Sequence, residues 1–181
     1  MDQPSIRDAA IVAIGSNLPS PYGDAKATVR RAMTELDTLS RQRALRSSLW
    51  RTQPVDCPPD TRDFVNAVVA LYPFPDETPE TLLEKLLALE SEFGRRRSGA
   101  NNEARPLDLD LITFAERRVN SASLVVPHPR AHERGFVLLP LAEIAPDLVL
   151  PNQTATVAEL ARRVSGSWPA DRRIGDRCQP L

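Results

Sequence analysis

The chain has 181 residues and a formal net charge of −1, a size that suits one domain (residues 1–181) and a charge with no general pull toward nucleic acid or anionic membrane. No stretch approaches the ~20 apolar residues of a membrane-spanning helix. Cys57 and Cys178 have no neighbour at metal-ligand spacing and are too few for a disulfide scaffold, so a structural zinc site is disfavoured and the reduced cytoplasm is expected.

Residues 1–8 read as a polar tail, with no basic lead into a long apolar run and hence no signal peptide. Ala9 to Ile14 is continuously apolar and of strand length, as suits a central strand buried on both faces. Gly15 then permits either a plain turn or a close backbone approach to a ligand. From Asp24, Ala27, Val29, Ala32, Met33 and Leu36 mark one face of a helix. Leu45 to Thr52 reads as a second strand. Residues 53–62 form an exposed, proline-containing loop. Phe64 to Tyr72 is rich in β-branched and aromatic residues and predicts a third strand. Asn66 is its polar exception: buried, it must either satisfy a backbone group or read a ligand's edge.

Thr78-Pro79-Glu80 opens a second helix, with Thr78 as N-cap and Pro79 at the first helical position. Its apolar face runs from Leu82 to Phe93, and Gly94 can end it. Glu90 lies near the C-terminal end, where an anion needs a nearby cation; Arg95, Arg96 and Arg97 can supply one. Arg105 to Phe114 alternates carboxylate and leucine, so it reads as a strand with Leu107, Leu109 and Leu111 toward a core. A turn is expected at 115–118, a further strand over 119–126, and a break at Pro127-His128-Pro129. A short core helix is expected over 137–144 and an amphipathic one over 156–164, with residues 165–181 as a second tail. The order matches a split β-α-β unit, a ferredoxin-like α+β fold (βαββαβ) with core residues about 9–164. Helices are expected on one face of an antiparallel sheet, with the other face or its loops left for a ligand.

The chemistry concentrates around the carboxylate strand. Asp108 and Asp110 share a face roughly 7 Å apart, and side-by-side anions repel unless a cation sits between them. Such a pair either lies on a solvated face or holds a metal, and oxygen ligands are what Mg²⁺ takes beside substrate phosphates. Neither glycine-rich phosphate loop is present: Gly94 and Gly99 have the right spacing, but Ala100 and Asn101 follow where Lys and Ser/Thr belong. Phosphate binding would therefore rest on side chains, chiefly Arg95, Arg97, Arg105 and Arg134. His128, held between two prolines, suits either packing or phosphate contact. Nothing in the spacing supports a catalytic nucleophile.

Six segments occur in one order: Ala13 to Leu18, Arg51 to Pro54, Phe64 to Ala67, Glu90 with Gly94-Arg95, Arg105 to Asp110, and Val126-Pro127-His128 to Phe136. This ordered set resembles the 6-hydroxymethyl-7,8-dihydropterin pyrophosphokinases of folate biosynthesis. The resemblance implies transfer of diphosphate from ATP to the pterin hydroxymethyl group, releasing AMP. It implies two Mg²⁺ ions on Asp108 and Asp110, with Arg95 and Arg105 joining them in catalysis. Glu90, Arg95, Arg97, Arg105, Leu111, His128 and Arg134 are the implied nucleotide-side residues. Gly15, Thr52, Pro54, Val55, Phe64, Asn66 and Phe136 are the implied pterin-side residues, with Phe64 and Phe136 as two rings around the heterocycle. The partners implied are small molecules alone, neither nucleic acid nor membrane. In the second loop, Asn101 and Asn102 stand where some members carry an arginine and a tryptophan, which alters that part of the lid. The rivals are an ATP-binding homologue with another acceptor alcohol or no activity, and an RNA-binding sheet, which the 5% aromatic content disfavours.

Overall fold

The computed structural model describes residues 5–54, 60–96, 104–165 and 172–174. Its centre is β1 (Ala10–Ser16), buried at every position. It pairs antiparallel with β4 (Phe64–Leu71) on one side and β5 (Asp108–Phe114) on the other. Two neighbours leave β1 no free edge, and helices cover both faces of its first part. That is why Ala9 to Ile14 can be apolar throughout.

Beyond β4 lie two short strands, β2 (Leu45–Arg46) and β3 (Leu49–Thr52). The single strand expected over 45–52 is thus interrupted at two serines. Ser47 donates its N–H to Val68 O (3.0 Å) while its hydroxyl accepts from Val68 N (2.9 Å). The Ser48 N–H donates to Glu143 Oε2 at 2.7 Å. Side-chain partners here replace ladder bonds, as serine readily allows.

Two helices cover one face. In α1 (Ala25–Asp37), the Asp24 carboxylate caps the start by accepting from Ala27 N at 2.8 Å. In α2 (Pro79–Glu92), Thr78 and Thr81 form a reciprocal cap. Gly94, at φ +87°, sits just past the end of α2. Val29, Met33 and Leu36 of α1 and Leu82, Leu86 and Leu89 of α2 pack against Val12, Ile14, Leu109 and Leu111.

The opposite face is also covered, which corrects the expectation of helices on one face only. After the hairpin of β6 (Val119–Asn120) and β7 (Val125–Val126), α3 (Gly135–Ile144) and α4 (Val157–Ser165) cross the sheet's other side. Val137, Leu138, Leu141 and Leu160 bury against Ile11, Ala13, Val68 and Ile112. The physical reason lies in the strands: their alternate residues on this side are apolar too, and each such side chain contributes roughly 1.5–3 kcal/mol when removed from water. Thr156 caps α4 reciprocally with Glu159.

The two tails are partly structured. Ile6–Asp8 form a 3-10 turn with Ile6 against the second core, and β8 (Arg172–Ile174) pairs antiparallel with β3. The sheet order is β5-β1-β4-β3-β8, with β2 also on β4. Strand β5 begins at Asp108, three residues later than expected, because Pro106 has no N–H for a ladder and Arg105 is bonded elsewhere.

Candidate active site

The α3–α4 layer covers only part of its face. Ala13 and Gly15 pair with Asp110 and Asp108, Gly15 also pairs with Asn66, and Thr52 pairs with Phe64. Register partners share a face, so Gly15, Thr52, Phe64, Asn66, Asp108 and Asp110 come from four strands to one end of the sheet, past the apolar residues under α3. The chain folds this way because each strand is apolar where helices cover it and polar or glycine where they do not.

Gly15 is the floor of this patch. A Cβ there would lie 3.1 Å from Asn66 Oδ1 and 3.9 Å from both Asp108 and Phe64. Close approach, rather than an unusual φ, is what requires glycine. Asn66 is buried, and its Nδ2 donates to Thr52 Oγ1 at 2.7 Å. That bond orients the amide so that Oδ1 points toward Gly15. The partner is thus the Thr52 side chain, not the backbone group expected for a buried Asn66. Pro54 follows half-buried at the rim.

The carboxylates are met by arginines from three segments. Arg95 hydrogen-bonds Asp108 Oδ1 and pairs with Glu90 Oε1 at 2.6 Å. Arg105 pairs with Asp108 Oδ2 at 2.9 Å. Arg134 reaches Asp110 Oδ2 at 3.3 Å. Burial opposes the charge on Arg95, but the Asp108 and Glu90 carboxylates outweigh it and hold the guanidinium above its ordinary value. Burial, then the adjacent Asp108 charge, push Asp110 up to about 6 against the pull of Arg134 and Arg105. Two arginines thus leave the second carboxylate still under-compensated, the condition a divalent cation would relieve. Among the described residues no group of three or more metal-binding side chains occurs. A two-carboxylate site completed by substrate oxygens is the form Mg²⁺ accepts.

Glu90 is 2% exposed and fully engaged: Oε1 accepts from Arg95 and from Leu109 N at 2.8 Å. It ties the end of α2 to β5 and orients Arg95. Leu111 stands next to Asp110 on β5. Its side chain belongs to the α1–α2 core, because alternation puts it opposite Asp110.

His128 follows a cis Val126–Pro127 peptide, and its N–H donates to Ile112 O at 2.8 Å, which seats it beside β5. Burial and the Arg134 charge push the imidazole down to about 4, so it is neutral at pH 7. Nδ1 accepts from Arg130 N at 3.1 Å, leaving the ring proton on Nε2. Nε2 lies 3.4 Å from Arg134 Nη1, so two donors converge where one anionic oxygen could accept from both.

Each aromatic ring carries a guanidinium. Arg105 Cζ stands 5.6 Å from the Phe64 centroid and Arg134 Cζ 5.4 Å from that of Phe136. The same arginines therefore touch the carboxylates and the rings, joining the polar and flat-surface halves of the site. Val55 and Arg97, and the lid positions Asn101 and Asn102, lie outside the described residues.

Asn17 was not singled out from the sequence as a site residue. It is 3% exposed, and its Oδ1 accepts from Arg105 N at 2.8 Å. Its own N–H donates to Arg105 O at 3.2 Å, and Nδ2 donates to Arg62 O at 3.4 Å. One amide fastens the entries of β4 and β5 to the end of β1. The available signal was an asparagine directly following a buried strand, where it must find partners.

Comparison with known proteins identifies the family. The family model described as 7,8-dihydro-6-hydroxymethylpterin-pyrophosphokinase matches residues 11–146. The 2-amino-4-hydroxy-6-hydroxymethyldihydropteridine pyrophosphokinase of Synechocystis is 36% identical over 170 residues, covering 93% of this chain and 83% of that protein. Its Pseudomonas aeruginosa namesake is 39% identical over 142 residues, 78% of this chain and 83% of the relative. Among solved structures, a Plasmodium falciparum HPPK-DHPS triple mutant superposes with a TM-score of 0.65 at 13% identity. That match covers 87% of this chain and 43% of the longer one, and it bears on the fold alone. With the family model spanning most of the sheet and every described segment of the site, the chain belongs to the 7,8-dihydro-6-hydroxymethylpterin pyrophosphokinase family.

Proposed function

We infer that the chain catalyses transfer of diphosphate from ATP to the hydroxymethyl group of 6-hydroxymethyl-7,8-dihydropterin, giving AMP and the pterin diphosphate in folate biosynthesis. The observation that carries this reading is the convergence, at one open sheet end, of a carboxylate pair, three arginines and two arginine-topped phenyl rings. Carboxylates and guanidinium forks suit a metal polyphosphate. The rings and the Asn66–Thr52 pair suit a flat heterocycle with a hydrogen-bonding edge.

Diphosphate transfer asks the protein for positioning and charge stabilisation rather than a covalent intermediate. Arg95, Arg105 and Arg134 present N–H forks to the phosphate oxygens, exchanging the carboxylates for them. His128 Nε2 donates beside Arg134. Phe64 and Phe136 hold the pterin between their faces while Asn66 reads its edge. Gly15 leaves room for the acceptor to approach Asp108. Two Mg²⁺ ions held by Asp108 and Asp110 would neutralise polyphosphate charge and acidify the acceptor hydroxyl. No dedicated strong side-chain base is then needed. We read the fold as a ferredoxin-like βαββαβ arrangement supplemented by α3 and α4, a reading that the strand order supports. The same chemistry sets the expected home in the cytoplasm, with small-molecule substrates as partners; no helix among the described residues is long and apolar enough to cross a membrane.

The test is AMP release from ATP by purified protein with Mg²⁺ and the hydroxymethyl-dihydropterin. The reading predicts AMP in step with pterin consumption, and loss of at least ~1,000-fold in rate for Asp108→Ala or Asp110→Ala. Wild-type turnover in either variant would remove the metal assignment. AMP formation at the rate of a protein-free blank would remove the function.

A further inference from the structure

At the opposite end of the sheet, a cavity of about 410 Å³ opens between the start of β1, the end of β5 and residues 148–153. Its size falls in the ~300–1,000 Å³ range of small-molecule sites. Thr113 at its edge is five residues along β5 from Asp108, roughly 16 Å by strand rise, so this is a separate place from the site above. Ile6, Leu148 and Leu150 supply apolar wall.

The polar groups of the cavity point to one chemistry. Arg7 lines it, and its guanidinium has no hydrogen bond or ion pair among the described residues. Arg118 lines it as well, braced by Asn152 Oδ1 through Nη1 with its other N–H groups uncommitted. Thr113 is 4% exposed, yet its hydroxyl has no partner among the described residues. That hydroxyl faces the cavity and can donate to a ligand oxygen there. Glu116 shares the lining and offsets one of the two positive charges. The balance favours a single negative charge, and a polyanion such as a nucleotide triphosphate would be repelled by Glu116.

We propose that this cavity is a second binding site, formed by Arg7, Arg118 and Thr113 over an apolar wall, that takes a small organic carboxylate with an apolar body. It goes beyond the transfer reaction and does not depend on it.

Benzoate is the probe, with benzamide as its neutral isostere, titrated into the ¹⁵N-labelled full chain. Benzoate is expected to shift the amides of Thr113, Arg118 and Asn152 saturably, and benzamide to bind about tenfold more weakly for want of a charge-assisted bond. Arg7→Ala should weaken benzoate by a similar factor while leaving AMP formation unchanged. Thr113→Val should weaken it too, with the remaining amide spectrum reporting an intact fold. Equal binding of benzamide and benzoate overturns the proposal, as does unchanged benzoate binding in Arg7→Ala. Absence of saturable shifts, or shifts confined to the surroundings of Arg95, Arg105 and Arg134, also overturns it. Failure of AMP formation in the wild-type chain would bear on the transfer reaction alone.

Discussion

The charge on Asp110 is held at a cost. Its folded pKa of about 6 lies above the ordinary 3.8, so it contributes stability at low pH that is lost as pH rises through about 6. Asp110→Asn removes that loss. The variant should be more stable than wild type by about 1–2 kcal/mol at pH 8, a figure discounted because the side chain is one-third exposed, with the difference vanishing toward pH 4. Thermal unfolding at the two pH values checks this, and a lower melting temperature at pH 8 would contradict it. His128 runs the other way. Its depressed pKa gives stability present above the unfolded value of 6.5 and lost as pH falls toward 4. Asn17 separates two bonds in one residue. Asn17→Asp keeps the acceptor for Arg105 N and loses the donor to Arg62 O, whereas Asn17→Ala loses both. Stability should fall by about 1–3 kcal/mol in the alanine variant and less in the aspartate, with kcat following the same order. Equal kcat in all three would show that fastening Arg105 has no part in turnover. Gly15→Ala is expected to raise KM for the pterin more than for ATP, because its Cβ crowds Asn66 Oδ1 at 3.1 Å. Equal effects on both KM values would place the crowding elsewhere.

At the scale of elements, α3 decides how much of the sheet stays open. Leu138 is fully buried between α3 and the strands. Leu138→Ala should cost ~2–5 kcal/mol in chemical denaturation. Loosened packing should raise KM for the pterin, since Phe136 and Arg134 stand at the helix's start. A stable variant with unchanged KM would show that α3 does not position these residues. Much of this layer was legible from local signals: α1 begins beside Asp24 as its pattern implied, Thr78 caps α2 where expected, and the apolar run of β1 announced a strand covered on both sides. The role of 137–144 as the second cover was not. An almost wholly apolar segment has no polar face to reveal which surface it packs on. The split between β2 and β3 was equally hidden, because Ser48's partner, Glu143, is 95 residues away. Within the site, residue types and spacing made the Asp108–Asp110 pair and the arginines visible. Which arginine meets which carboxylate is a tertiary matter that no local pattern carries.

Across the whole molecule, one sheet separates two environments along the same strands. At one end β1, β4 and β5 present Gly15, Asn66, Asp108 and Asp110 to an arginine-rich opening; at the other, β1 and β5 border the cavity beside Thr113. The rigid, doubly covered middle keeps the polar end in register, so the site can be assembled before substrates arrive. The charges of Arg95, Arg105 and Arg134 are matched by Glu90, Asp108 and Asp110. ATP with Mg²⁺ would exchange these partners rather than add to them. Nucleotide affinity should therefore fall sharply without Mg²⁺, by about tenfold or more in calorimetric titration with EDTA present. Equal affinity with and without the metal would contradict that exchange. The central claim is transfer of a diphosphate unit, and ³¹P NMR of wild-type protein with ATP, Mg²⁺ and the hydroxymethyl-dihydropterin tests it most directly. The predicted result is AMP together with a pterin diphosphate ester, formed in equal amounts. ADP with a pterin monophosphate, or no phosphorus transferred to the pterin, would contradict it.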